Sequence, residues 1–152
     1  MKLNIGFVST RFAGIDGVSL ESSKWARVLE DEGHTCFWFA GENAKSELIS
    51  LQVRQANFKD DQNQWINRQL FGTHKKSLQL ARIMCDYKST IASGLKLFID
   101  MYQLDLLVVE NALAIPMHIP LGLALTDVIA ETGIPTIAHH HDFYWERNHC
   151  GP

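Results

Sequence analysis

The 152 residues are 46% hydrophobic and 20% charged, the composition of one globular domain with a single core. A formal charge of −3 gives no electrostatic reason to expect nucleic acid or an anionic membrane as partner, and no stretch approaches the ~20 apolar residues of a membrane span. Cys36, Cys85 and Cys150 are an odd, scattered set without C-x-x-C spacing, so neither a disulfide framework nor a structural zinc site is expected.

Met1 leads directly into the apolar run Leu3 to Val8, without a basic n-region or a long apolar h-region, and a cytoplasmic location is the expectation. That run predicts a first strand, followed by a loop containing Gly14 and Gly17 and by a helix over 18–32. In the helix Leu20, Trp25 (with Ala26), Val28 and Leu29 recur at helical steps and are expected to face the core, with Gly33 at the C-terminal stop. His34 to Ala40 is rich in aromatic and β-branched residues and predicts a second strand, closed by Gly41-Glu42-Asn43. Between Ala44 and Leu70 the signal weakens to a helix around 46–53 and a polar stretch over 58–64. A long helix over 73–102 carries the stripe Leu80, Met84, Tyr87, Ile91, Leu95, Phe98 and Tyr102, with Gly94 as a break or a close-packing point. Strand Asp105 to Glu110, a helix after Pro120 ending at Gly133, and a strand over 134–138 complete the order. Strands alternating with helices predict a Rossmann-like, doubly wound parallel sheet of α/β class in one domain spanning 1–152.

In such sheets ligands bind outside the carboxyl ends of the strands, and three segments fall there. The first loop offers glycines and a helix N-terminus, a combination suited to phosphate, although it departs from G-x-G-x-x-G and from the P-loop. A tight turn with Asp16-Gly17 at positive φ is the plainer alternative. Glu110-Asn111 follows a strand, where a carboxylate and an amide can hold sugar hydroxyls; alternatively Asn111 caps a turn and Glu110 is solvated. The densest cluster is HHHDFYWER, 139–147, directly after a strand. Alternation puts His139 and His141 on one side and His140 on the other, so three consecutive imidazoles cannot share one metal. A zinc site from His141, Asp142, His149 and Cys150 has no supporting ligand spacing. Arg147 offers a planar fork for an anion, Trp145 a face for a sugar ring, and His141 with Asp142 an orienting or proton-handling pair.

GFVSTRFAGIDGVSLESSKWARVLEDEGH, DLLVVENALAIPMHIPLGLALTDVIAETGIPTIAHHHDFYWER and the strand-helix order between them resemble the N-terminal domain of family 4 glycosyltransferases, retaining enzymes of two Rossmann-like halves in the GT-B arrangement. The resemblance implies that Gly14, Asp16 and Gly17 lie beside the donor's phosphates and that His141 and Asp142 stand near the reacting sugar. It implies that Glu110, Asn111, Trp145 and Arg147 face the acceptor. No metal or other cofactor is expected, the nucleotide-sugar being a substrate, because backbone amides can stabilise a departing phosphate. The donor-binding second half is not in this sequence, so the resemblance further implies an incomplete acceptor-side domain, inactive until completed by its C-terminal half or a separately encoded chain. The alternative is a free-standing Rossmann-like module that binds a phosphorylated or carboxylated small molecule.

Overall fold

Strand β1 (Asn4–Val8) lies at the centre of a five-stranded parallel sheet in the order β5-β3-β1-β6-β7, where β3 is Thr35–Ala40, β5 Ser50–Gln52, β6 Leu106–Glu110 and β7 Thr136–His139. The structure is a computed structural model and describes residues 1–72 and 77–142. β1 pairs with β3 from Asn4↔Thr35 to Val8↔Phe39 and with β6 from Ile5↔Leu106 to Val8↔Val109. β1, β3 and β6 read as continuous apolar runs because helices cover both of their faces.

Helix α1 (Gly17–Asp31) covers one face, over Ile5, Phe7, Cys36, Trp38 and Val108. Helices α3 (Leu78–Tyr102) and α4 (Ile119–Thr132) cover the other, where Ile91, Leu95, Phe98, Leu121, Leu125 and Val128 pack on Val8, Phe39, Leu107 and Val109. Successive strand residues thus supply opposite faces, as the two-residue repeat requires. The expected Rossmann-like α/β architecture and the α3 stripe are both present. Gly94 is a close-packing point: a Cβ there would meet Val53 Cγ2 at 2.7 Å and Phe39 Cε2 at 3.4 Å.

Four expectations are corrected. The helix around 46–53 is instead strand β5, which extends the sheet beside β3 through Trp38↔Ser50, Phe39↔Leu51 and Ala40↔Gln52; an edge position needs only a short segment with backbone groups to share. The polar stretch after Phe58 opens helix α2 (Asp61–Gly72), and Arg11–Phe12 (β2) pairs with Glu42–Asn43 (β4) in a separate two-stranded sheet.

On α1 the apolar stripe is split: Ala26 is buried and Leu29 packs against the sheet cluster as expected, while its other members turn outward. Ser19, Ser22 and Ala26 are buried, whereas Leu20, Trp25 and Val28 are exposed. The sheet side chains beneath are bulky, with Phe7 stacked on Trp38 at 4.9 Å, so the fully buried positions of the helix are small residues, flanked by the partly buried Val18 and Leu29. Burying serine costs little here because the Ser22 hydroxyl donates to the Val18 carbonyl at 2.7 Å.

Finally, β7 is a sheet edge and not a buried strand. Ile137 remains 43% exposed.

Candidate functional site at the carboxyl edge of the sheet

The ends of β1 and β6, the start of α1 and the loop before α4 enclose a cavity of about 170 Å³, lined among others by Arg11, Asp16, Glu110, Asn111, Met117 and His118. A parallel sheet delivers its strand ends to one rim, so residues distant in sequence converge there.

At the first loop, Gly14 takes a left-handed φ of 94°, so the positive φ expected of Asp16-Gly17 falls two residues earlier. Asp16 has φ −72° and caps α1: its carboxylate accepts from the Ser19 amide and the Ser19 hydroxyl, each at 2.9 Å. Asp16 also lies 3.8 Å from Arg11, whose Nε is 3.2 Å from Glu42 on β4. One cation is therefore held between two carboxylates. Of the first-turn amides, Ser19's is used by Asp16, while helix geometry leaves those of Gly17 and Val18 without an intrahelical acceptor.

Glu110 ends β6 and is 1% exposed, which overturns the reading of a solvated carboxylate. Its register partner is His139 on β7. His139 and His141 both turn onto Glu110, confirming that they share a side: His141 Nε2 is hydrogen-bonded to Oε2 at 2.8 Å, and His139 Nδ1 lies 2.9 Å from the same oxygen. The second contact is electrostatic only, since Nδ1 is off the direction a hydrogen bond needs and has no other partner. Glu110 Oε1 is likewise buried without a hydrogen-bond partner. Trp25 of α1 stacks on His139 with ring centroids 4.5 Å apart, which gives its outward position on α1 a function.

Asn111 holds the two strand ends together. Its φ of 59° is left-handed, a conformation asparagine tolerates better than most residues. From there its amide donates to the His139 carbonyl at 2.9 Å and its side-chain oxygen accepts from the His141 amide at 2.7 Å.

His118 forms the floor of the α4 loop. Nδ1 accepts from the Leu121 amide at 3.1 Å, capping α4, and Nε2 lies 2.7 Å from the Gln55 carbonyl. The carbonyl can only accept, so the proton sits on Nε2. Burial pushes the ring down to about 4, partly offset by the Gln55 contact.

Thus Glu110, Asn111 and His141 are brought together, with Asp16 across the same cavity and Gly14 and Gly17 in the loop beside it. Asp142 directly follows His141. Trp145 and Arg147, like His149 and Cys150 of the alternative zinc reading, lie outside the described residues. From sequence, Arg11 and His118 carry no role at this edge and Trp25 is expected in the core. Only His118, two residues before a proline at the start of an apolar helix, carried a readable signal as a cap.

The chain is 32% identical over 151 residues to mannosylglucosylglycerate synthase of Thermotoga maritima, matching 99% of this chain and 34% of that protein. It is 27% identical over 151 residues to mannosylglucosylglycerate synthase of Petrotoga mobilis, matching 96% of this chain and 33% of that protein. It spans about a third of the length of these curated relatives. No protein-family model matches the chain. Mannosylglucosylglycerate synthases are glycosyltransferases, so the resemblance to a glycosyltransferase N-terminal domain is borne out. Among the described residues no helix is long and apolar enough to cross a membrane.

Proposed function

We propose that residues 1–152 form the acceptor-side, Rossmann-like domain of a glycosyltransferase that moves a sugar from a nucleotide diphosphate donor to a hydroxyl of a glycoside acceptor, with retention. The observation that carries this reading is a cavity on the carboxyl edge lined by Glu110 and Asn111, with His141 hydrogen-bonded to both. The names of the relatives supply the substrate class, a compound of mannosyl, glucosyl and glycerate units.

The charges lining the cavity favour a hydroxyl-rich acceptor over a free anion. Arg11 is already countered by Asp16 and Glu42, and Glu110 adds a further carboxylate. A phosphate meets no unspent positive charge on these residues, which weighs against a phosphate-binding module, and the glycerate carboxylate of such an acceptor is placed outside this lining. Sugar hydroxyls both donate and accept, and so suit carboxylate oxygens, the Asn111 side chain and backbone groups together.

In the reaction the bond from the anomeric carbon to the donor phosphate breaks and a bond to the acceptor oxygen forms, while the acceptor hydroxyl loses its proton. Negative charge grows on the departing phosphate. The open amides of Gly17 and Val18, beside Gly14 and at the positive end of α1, are suited to stabilise it. Asp16 fixes that helix start and contributes no donor of its own. His141 and Asp142 stand nearest the reacting sugar. Because Glu110 engages Nε2 of His141, only Nδ1 of that ring is left to face substrate. Trp145 and Arg147 complete the acceptor side.

The donor-binding half belongs to the C-terminal part of a longer chain or to a separate one, so the 152 residues alone do not turn over. The test pairs two measurements on the chain as it stands. Glucosylglycerate should bind, with affinity lost in Asn111→Ala, and mannose- or glucose-bearing nucleotide diphosphates should yield no product. Robust transfer by the isolated chain, or the absence of acceptor binding, refutes the proposal.

A further inference from the structure

We infer that Glu110, His139 and His141 form a binding site for one divalent transition-metal ion of the zinc class. Their ligand atoms all lie within 4.8 Å of one another. Two imidazoles and one carboxylate are a donor set that suits zinc and its first-row neighbours better than calcium or magnesium, which prefer all-oxygen surroundings.

The metal-free arrangement is unsatisfied in a specific way. The Glu110 carboxyl side chain is 0% exposed, yet among the described residues Oε1 has no hydrogen-bond partner and Oε2 is shared by two rings. His139 Nδ1 is buried, 2.9 Å from that oxygen, and makes no hydrogen bond. Unpaired buried polar atoms are expensive, and here they are ligand atoms that face one another. A cation in their midst gives all three groups a partner and compensates the buried negative charge.

The surroundings already hold the rings as ligands are held. Trp25 stacks on His139, and Asn111 fixes the His141 backbone through its 2.7 Å bond. The imidazole side chains are 23% and 21% exposed, which leaves an entry path and a coordination position for an outside ligand. With bonds of ~2.0–2.1 Å, tetrahedral ligands stand about 3.3 Å apart. The present contacts of 2.8 and 2.9 Å therefore open by about half an ångström on filling. These partly exposed imidazoles can make that movement by small rotations. The inference departs from the expectation that no metal is bound, and it does not rest on the transfer reading.

The experiment titrates the chelator-treated full chain with Zn²⁺ against a chromophoric competitor, and with Co²⁺ while following its visible absorption. One ion should bind per chain, and the Co²⁺ bands should report nitrogen and oxygen ligands. Glu110→Gln, His139→Ala and His141→Ala should each weaken binding by at least about tenfold. His140→Ala, and the double variant His149→Ala with Cys150→Ala, should leave it unchanged. Circular dichroism checks folding, and if Glu110→Gln fails to fold, the two histidine variants decide. Affinity weaker than about 1 mM overturns the inference. So does an equal loss in His140→Ala or in the double variant. Acceptor binding is measured separately on metal-free chain, so failure here and failure of the transfer reading remain distinguishable.

Discussion

Acid should destabilise this protein through His118, and by an amount the structure sets. The native ring needs a lone pair on Nδ1 for the Leu121 amide and a proton on Nε2 for the Gln55 carbonyl. A second proton on Nδ1 would face a donor across the α4 cap. Burial pushes the folded ring down to about 4 from its ordinary 6.5, against the smaller upward pull of the Gln55 contact. A folded pKa below the unfolded one means that the unfolded chain takes up the proton first. Stability is therefore intact above pH 6.5, is lost as pH falls toward 4, and levels below. At 1.36 kcal/mol for each pH unit, the window amounts to roughly 3 kcal/mol. Urea unfolding of wild type and His118→Asn between pH 7.5 and 4 measures it. Asparagine can cap the helix but does not titrate, so the variant should lose part of its stability at neutral pH and show a shallower acid slope. The difference between the two proteins cancels the carboxylates and the other histidines. Parallel curves would refute the assignment of Nδ1 as the cap and of the ring as neutral.

Four further outcomes follow from packing and burial. Gly41→Ala should cost more than about 4 kcal/mol in the same unfolding assay, because its Cβ would lie 1.9 Å from the Asn57 backbone nitrogen and 2.3 Å from its Cα, atoms that no rotamer change can move. Gly17→Ala meets nothing within 4 Å and should be neutral or stabilising by up to about 1 kcal/mol; a large loss would show that the loop geometry is wrong. Phe98→Ala should cost about 3–5 kcal/mol, since the ring is fully buried against Phe39 and Tyr102. In a Cys150→Ser background Cys85 is exposed and should react rapidly with a thiol reagent, whereas Cys36 is buried with its thiol pushed up to about 12 and should react only on unfolding.

The parts of the fold legible in the sequence are those whose burial is two-sided or strongly periodic. Gly6-Phe7-Val8 and Leu107-Val108-Val109 are apolar at every step because helices lie on both faces, and the α3 stripe from Leu80 to Phe98 is long enough to fix its phase. The α1 stripe misled for a local reason. Hydrophobic spacing reports a face, but it does not say whether bulky strand residues will accept large or small partners, and Phe7 and Trp38 accept Ser22 and Ala26. Strand β5 was hidden because three residues at a sheet edge carry almost no pattern. At the site, alternation alone placed His139 and His141 on one side, and the strand end placed Glu110 and Asn111 beside them. What spacing could not supply was register. Only the β6-β7 pairing sets His139 opposite Glu110 and turns a carboxylate expected in solvent into a buried one between two imidazoles.

Whether this edge holds a sugar acceptor is tested most directly by backbone NMR of the labelled chain titrated with glucosylglycerate. Saturable shifts should cluster at Arg11, Glu110, Asn111, Met117 and His141 around the cavity, and Asn111→Ala should abolish them. No shifts at saturating ligand, or shifts centred away from the carboxyl ends of β1 and β6, would contradict an acceptor site there.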